Sequence, residues 1–445
     1  MRDILLTLIL VGLLPISFKR PYIGALIFAL ISLANPHRMT WGFAYSMPWA
    51  MAYAGVTILG LLATQERQLG DSIKRYSPVL LYLAWMAVTS IFALEPGEAR
   101  ARWIEVSKVH VMCLVTLALL TDWDKVRLLV WVCICSVGFY GLKGGVFTLM
   151  HGGEFLVWGP MASAIQDNNH LAVGLVMMLP MMYWLYTDAK KRWLRWLILF
   201  SALMSAVSIF GSHSRSAFLG IAAMSFFLMM KSQHKFAVGI VTVVTVIGLA
   251  SFMPQEYWDR MQSIKTYEQD ESAMGRINSW TAAYNVANAR ITGAGFEWYK
   301  PWNFARYAPD PEAVHSSHSI YFQSLGEHGW PGLAIFLSIW AYIWLTCRRI
   351  IRARRKDATE EGRSQALLAR MIQVSLIGFG VGGAFVNIGN WDMAYYLAIS
   401  ALGLTRVISE RSRAPQTLPN TFSSSAGGMR QRSQPTTRET LTARS

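Results

Sequence analysis

The chain has 445 residues, 53% of them hydrophobic and 15% charged, with a mean hydropathy of +0.31 and a formal net charge of +15. That balance is too apolar and too charge-poor for a soluble protein of this length and predicts an integral membrane protein built as one helical domain. The positive charge sits in short connections between apolar runs and in the C-terminal tail, as the positive-inside rule requires, so no nucleic-acid partner is inferred.

Apolar runs of roughly 17–25 residues, the length that crosses a hydrocarbon core, recur along the chain. The fold class expected is all-α and polytopic, with about 12–13 transmembrane helices. The runs Ile4 to Phe18 and Tyr22 to Ala34 are short and joined by Lys19-Arg20-Pro21. They read as two spans or one tight hairpin, retained rather than cleaved as a signal peptide. Further spans are expected over Tyr45 to Ala63, Pro78 to Leu94 and Trp103 to Leu120. The last of these carries Glu105, Lys108 and His110. Charges at that depth are costly unless they pair or face a cavity; Glu105 and Lys108, three residues apart, can pair, or they line an outer vestibule.

A sixth span ends near Lys143-Gly-Gly145, a seventh at Tyr186, an eighth at Gly211 and a tenth at Met253-Pro254, the ninth filling Ala217 to Met230. The stretch 254–330 is polar and departs from this rhythm. Spans then follow over Pro331 to Leu345, Leu367 to Val386 and Asp392 to Ile408. Between the first two of these, Arg348-Arg-Ile-Ile-Arg-Ala-Arg-Arg-Lys356 is the strongest inside signal and places the polar stretch outside. The expected organisation is an N-terminal transmembrane bundle over 1–253, one large periplasmic loop with amphipathic helices over 254–330, C-terminal spans over 331–408, and a disordered basic cytoplasmic tail over 409–445.

A loop that meets water while helices hold it rigid is where such a protein keeps its chemistry. There is no Gly-rich phosphate loop followed by Lys-Ser/Thr, no paired-Cys or His-x-x-x-His ligand spacing and no Gly-x-Ser-x-Gly elbow. No metal and no cofactor is expected. His315 and His318 are three apart, but two nitrogens do not make a metal site.

What remains is arginine and histidine. Arg215 opens an apolar run, where a guanidinium either grips phosphate oxygens bidentately or snorkels to lipid headgroups. Arg276 lies in a stretch of helical spacing, with Ile277, Trp280 and Tyr284 on one face, and is either an anion ligand or an exposed residue of an interfacial helix. His318, at the water boundary, can be neutral near pH 7 and take a proton, or it can serve as a structural residue at a span start; His315 competes for the same role. Lys143, Asp167, Asn169 and Glu327 are further candidates on the outer face.

His318-Ser319, nine residues, then Gly329 and Gly332 resembles the motif of the O-antigen ligase and polymerase superfamily. The turn Ser214 to Gly220 resembles that family's arginine-bearing outer turn, and Gly275 to Trp280 followed by Gly293-Ala-Gly295 also fits. More narrowly, Asn35 to Tyr45, Tyr140 to Phe147 and His318 to Gly329 resemble the exosortase-associated O-glycosylation ligases. The resemblance implies a GT-C-like fold and a metal-independent, inverting glycosyltransferase of the bacterial inner membrane with its active site facing the periplasm. The donor it implies is a glycan on undecaprenyl pyrophosphate and the acceptor a hydroxyl of a glycan, lipid or protein. Arg215 and Arg276 are then expected to bind the pyrophosphate and His318 to act as base. A polymerase, with a second lipid-linked glycan as acceptor, is the alternative within the family. A transporter of lipid-linked sugars is the alternative of another class; the sequence shows none of the paired broken helices such folds use.

Overall fold

The computed structural model describes residues 1–65, 67–231, 271–413 and isolated positions between 236 and 255. Most of the expected tenth span, the segment 256–270 and the tail from 414 lie outside the described residues. Among the described residues the chain is helical, without strands. The helices are α1 (Arg2–Lys19), α2 (Pro21–Ala34), α3 (Trp49–Ala63), α4 (Leu69–Ile91), α5 (Pro96–Leu119), α6 (Trp123–Met150), α7 (Asn168–Asp188), α8 (Arg192–Gly211), α9 (Arg215–Lys231), α10 (Glu271–Ala289), α11 (Pro301–Tyr307), α12 (Ile320–Ala353), α13 (Glu360–Gly382) and α14 (Asp392–Arg413).

The chain is a polytopic membrane protein. Among the described residues five helices are long and apolar enough to cross a bilayer by themselves: α6, α7, α8, α12, and α13 with the turn that extends it to Phe385. Among the described residues a helix stands at each expected run, but α2, α3 and α9 are shorter and α4, α5 and α14 carry charges along their length. Glu105 does not pair with Lys108. Its carboxylate takes Arg102, one turn earlier, at 2.8 Å on an exposed face.

Of these five, α7 and α13 are the most buried, each with 72% of its apolar window inside, and they meet where the Ser375 hydroxyl donates to the Met177 carbonyl at 2.7 Å. α6 and α8 approach through small residues. A Cβ at Gly141 or Gly144 would overlap the Ser205 or Ser208 hydroxyl, and one at Gly145 the Met204 carbonyl. Without a hydrophobic drive between helices in lipid, this backbone proximity supplies the packing.

At one end of the bundle the fully buried Arg406 guanidinium of α14 donates to Asp71 at 2.7 Å, to the Ser72 hydroxyl at 2.6 Å and to the Leu117 carbonyl at 2.8 Å. It ties α14 to α4 and α5, and every hydrogen bond to the charge replaces hydration lost on burial.

The opposite end is shaped by a break in α12. Gly329 has φ 68° and ψ −174°, a conformation closed to side-chain-bearing residues, and a Cβ there would overlap the Ile291 carbonyl oxygen. Pro331 supplies no N–H. The carbonyls freed by the break are met from elsewhere. Ala294 N–H donates to Gly326 O at 2.8 Å, Gly295 N–H to Glu327 O at 2.8 Å, and the Trp85 indole to His328 O at 2.9 Å. The sequence places the start of this span at Pro331. The helix instead begins at Ile320, capped by the Ser319 hydroxyl, because outside donors complete its first turns.

Candidate active site

Residues 271–319 form a small unit on that end of the bundle, with a core of Ala282, Ala283, Val286, Trp298, Phe304 and Tyr307. It is moored to the α4–α5 turn. Glu95 accepts from the Trp302 indole at 2.6 Å and from Asn303 at 3.1 Å, Lys300 meets Glu98 at 2.7 Å, and Leu94 N–H donates to Ala294 O at 2.8 Å. The α4–α5 turn is therefore the socket of the unit.

Consecutive residues of α10 hold the segment that carries His318. The Asn278 amide donates to Asp310 O at 2.8 Å and Ala313 O at 3.0 Å, Ser279 donates to His315 O at 2.8 Å, and the Trp280 indole donates to Ser317 O at 2.6 Å. Trp280 also stacks on Phe322 with centroids 4.9 Å apart. Gly275 leaves the room that the His315 ring fills.

From the other side comes Asn387, in the turn between α13 and α14. Its Oδ1 accepts from Ser319 N–H at 3.0 Å and from the Ser317 hydroxyl at 3.1 Å, bracketing His318, while its own N–H reaches His170 Nε2 at 3.4 Å. His318 itself sits in the left-handed region, φ 42°, which costs a side-chain-bearing residue energy and persists where the surroundings fix it. Its half-buried imidazole makes no hydrogen bond among the described residues. Burial first, then the charge of Arg276, then His170 hold its pKa down from 6.5 to about 4, with Asp167 opposing and His315 adding to the fall. The ring is therefore neutral at pH 7 and free to accept a proton.

The fold thus brings Arg276, His170, Asp167 and His315 into electrostatic range of His318. Arg215 opens α9 beyond a turn that is locked to α7, where the Asn168 amide donates to Ser212 O at 2.7 Å, and His213 Nε2 pairs with Gly153 O at 3.0 Å. Asp167 is the N-cap of α7, accepting from Asn169 N–H at 2.8 Å and His170 N–H at 3.3 Å. The Asn169 side chain turns to Asn168, at 3.3 Å. Glu327 is buried one helical turn below Gln323, whose amide donates to it at 3.3 Å. Lys143 is not joined to this group. It is exposed on α6, on the face of Phe139 and Val146, away from the glycines that meet α8. Its glycine-rich neighbours serve helix packing, which is why the segment looked special.

At Asn387 and His170 opens a cavity of about 470 Å³ of mixed polar and apolar lining, with Arg102, Asp167, Gln323 and Trp391 also on its wall. The buried Oε1 of Gln323 has no partner among the described residues, a vacancy that costs about 1–3 kcal/mol unless a ligand donates to it. Between α12 and α13 a second, apolar groove of about 270 Å³ starts at Ile320 and Tyr321 and runs past Trp340 and Trp344. Among the described residues no cluster of three or more His, Cys, Asp or Glu side chains is placed to hold a metal ion.

Sequence reasoning places His170 and Asn387 on the outer face without giving either a role, and does not single out Gln323. The i, i+3 spacing of Asp167 and His170 at a helix start was a usable signal, since both then face the same side. Asn387 gave none, being one amide in a short turn.

Residues 200–337 match the family described as O-Antigen ligase, and residues 1–190 match a family of unknown function. Neither match spans half of the chain. The first contains Arg215, Arg276, His315, His318 and Glu327; the second contains Arg102, Asp167 and His170; Asn387 and Trp391 lie beyond both. No curated protein matches the sequence.

Proposed function

We propose that this protein is an O-antigen ligase-like glycosyltransferase of the inner membrane that moves a glycan from undecaprenyl pyrophosphate to an acceptor hydroxyl on the periplasmic face. The reading rests on one observation above all. Within the stretch similar to O-antigen ligases, the segment that carries His318 is held by α10, and by Asn387 from beyond that stretch, and its neutral, half-buried imidazole lies in the field of Arg276. Neutral imidazole beside cationic guanidinium is the pairing that a transfer from a diphosphate needs: a proton acceptor for the nucleophile and positive charge for the leaving group.

The chemistry balances without a nucleotide. The acceptor oxygen attacks the anomeric carbon as its proton passes to His318. The carbon–oxygen bond to the diphosphate breaks on the opposite face, inverting the anomeric centre. The leaving pyrophosphate keeps the bonding electron pair, and Arg215 and Arg276 stabilise its charge. Arg276, by depressing the His318 pKa, keeps the base unprotonated until the anionic donor arrives. The polyprenyl chain lies in the apolar groove that starts at Ile320, next to the His318-Ser319 segment. The subtype nearest in sequence pattern is the exosortase-associated O-glycosylation ligases.

The test is the lipid-linked glycan pool of cells lacking the protein, complemented with the wild type or with His318→Ala. The expected result is long glycans held on polyprenyl pyrophosphate in the deletion, discharged by the wild type and not by His318→Ala at equal abundance. Accumulated single repeats would instead make it a polymerase. An unchanged pool with unchanged surface glycan would sink both.

A further inference from the structure

We infer that the cavity at Asn387 and His170 is a subsite for a neutral sugar, separate from the arginines that take the diphosphate, and that Gln323 and Asn390 select the sugar held there. The proposal rests on the transferase reading above and assigns its substrate contacts.

The lining decides the chemistry. Its two charged side chains, Arg102 and Asp167, cancel, and both are engaged: Arg102 with Glu105 at 2.8 Å, Asp167 with the first N–H groups of α7. Nothing there favours an anion. The other polar groups include the amides of Gln323, Asn387 and Asn390, each with a donor and an acceptor end. Paired donors and acceptors suit vicinal hydroxyls, which both give and take hydrogen bonds. Two indoles complete the wall, Trp391 at 4% exposure and Trp158 at 57%, and an indole face suits the C–H face of a pyranose ring. Gln323 lines the cavity and its buried Oε1 has no partner among the described residues, an acceptor that a side-chain rotation turns toward a sugar hydroxyl, and Asn390 makes no hydrogen bond among the described residues. A volume of about 470 Å³ holds a short saccharide, not a polymer.

The place fits as well. His170 and Asn387 line the cavity, and Asn387 is also the residue that holds Ser317 and Ser319 on either side of His318. A ring seated in the cavity therefore touches Asn387, the residue that secures the backbone on either side of His318. Occupancy also acts on the base through Asn387, so Asn387 is a positioning residue, while Gln323 and Asn390 touch the sugar.

The experiment uses the full chain in lipid nanodiscs, with His318→Ala to prevent turnover. Calorimetry follows titration with neutral disaccharides and trisaccharides and with a uronate-containing disaccharide as acidic control. Binding of one or more neutral sugars is expected, weakened roughly tenfold by Gln323→Leu and by Asn390→Ala, the loss of about one good hydrogen bond. Trp158→Ala, at an exposed rim where folding is not at stake, is expected to weaken it too, and Arg276→Ala to leave it intact. The proposal falls if no neutral sugar binds at millimolar concentrations, if only the acidic sugar binds, or if Arg276→Ala abolishes binding while Asn390→Ala and Trp158→Ala do not change it. Adding lipid-linked glycan extracted from the cells separates the two sources of the ring. Displacement of the free sugar identifies the donor's own sugar, and undisturbed binding identifies the acceptor's. Sugar binding by a chain that leaves the cellular glycan pool untouched would remove the transferase reading and keep the cavity.

Discussion

At the scale of the residue, His318 is governed by what surrounds it rather than by what it contacts. Its depressed pKa has a kinetic signature. The acid limb of kcat/KM, which reports the free enzyme, is expected well below 6.5 and toward about 4, where the imidazole protonates. Arg276→Gln removes the second-largest cause of the depression, so the limb is expected to move up in pH while the maximum rate falls. A pH–rate profile of both forms checks this, and an unmoved limb would separate Arg276 from the base. The same shift has a sign for stability. Because the folded pKa lies below the unfolded value, the contribution is complete above about pH 6.5 and lost as pH falls toward about 4. His318, Arg276, His315 and Asp167 were legible because their residue types and outer placement narrowed the choice. Lys143 stands apart from them: its place in the sequence is that of an outer helix end, but its helix continues to Met150 and leaves it exposed two turns earlier.

At the scale of the element, the break in α12 turns one helix into two working parts. The first turns, 320–328, carry Gln323 and Glu327 at the end where the 271–319 unit packs; the rest is an apolar helix. Gly329→Ala forces a Cβ into a conformation open essentially to glycine and into the Ile291 carbonyl, and is expected to cost at least ~1–3 kcal/mol, read as a fall in the thermal midpoint in nanodiscs. Gly332→Ala lacks the positive φ of Gly329, but its Cβ would overlap the His328 Cβ, which moves only with its backbone, so a fall is expected there too. Sequence showed this glycine pair and Pro331 as a boundary, and a boundary it is. What it did not show is helix on both sides, because the donors from Ala294, Gly295 and Trp85 are distant along the chain. Local pattern reports where a helix loses its own hydrogen bonds and is silent about who replaces them.

At the scale of the molecule, stability and chemistry are kept at opposite ends. Arg406 and Asp71 hold α14, α4 and α5 together far from His318. Asp71→Asn is expected to lower stability by about 1.5–3 kcal/mol, since it replaces a charged partner of a buried guanidinium with a neutral one, while transfer per folded molecule stays unchanged. Unfolding followed alongside a glycan-discharge assay separates the two, and loss of turnover in fully folded protein would contradict the division. The helical membrane class was plain from composition. The number of crossings was not, because charged helices such as α4 and α5 are stabilised by partners such as Arg406, a long-range fact hydropathy does not carry.

The order in which the parts leave the ribosome adds a consequence to the Asn387 bracket. Trp85, Ala294 and Gly295 all precede the carbonyls they satisfy, so the broken helix can close as soon as it is made. Asn387 comes nearly seventy residues after Ser317 and Ser319, which it secures, at separations of 70 and 68 positions. Until α13 has been inserted and the turn behind it has returned, the His318 segment is held from one side only. Synthesis therefore finishes the base last, and a nascent chain halted before that turn already carries every arginine and histidine of the site but lacks the bracket that sets His318 in place.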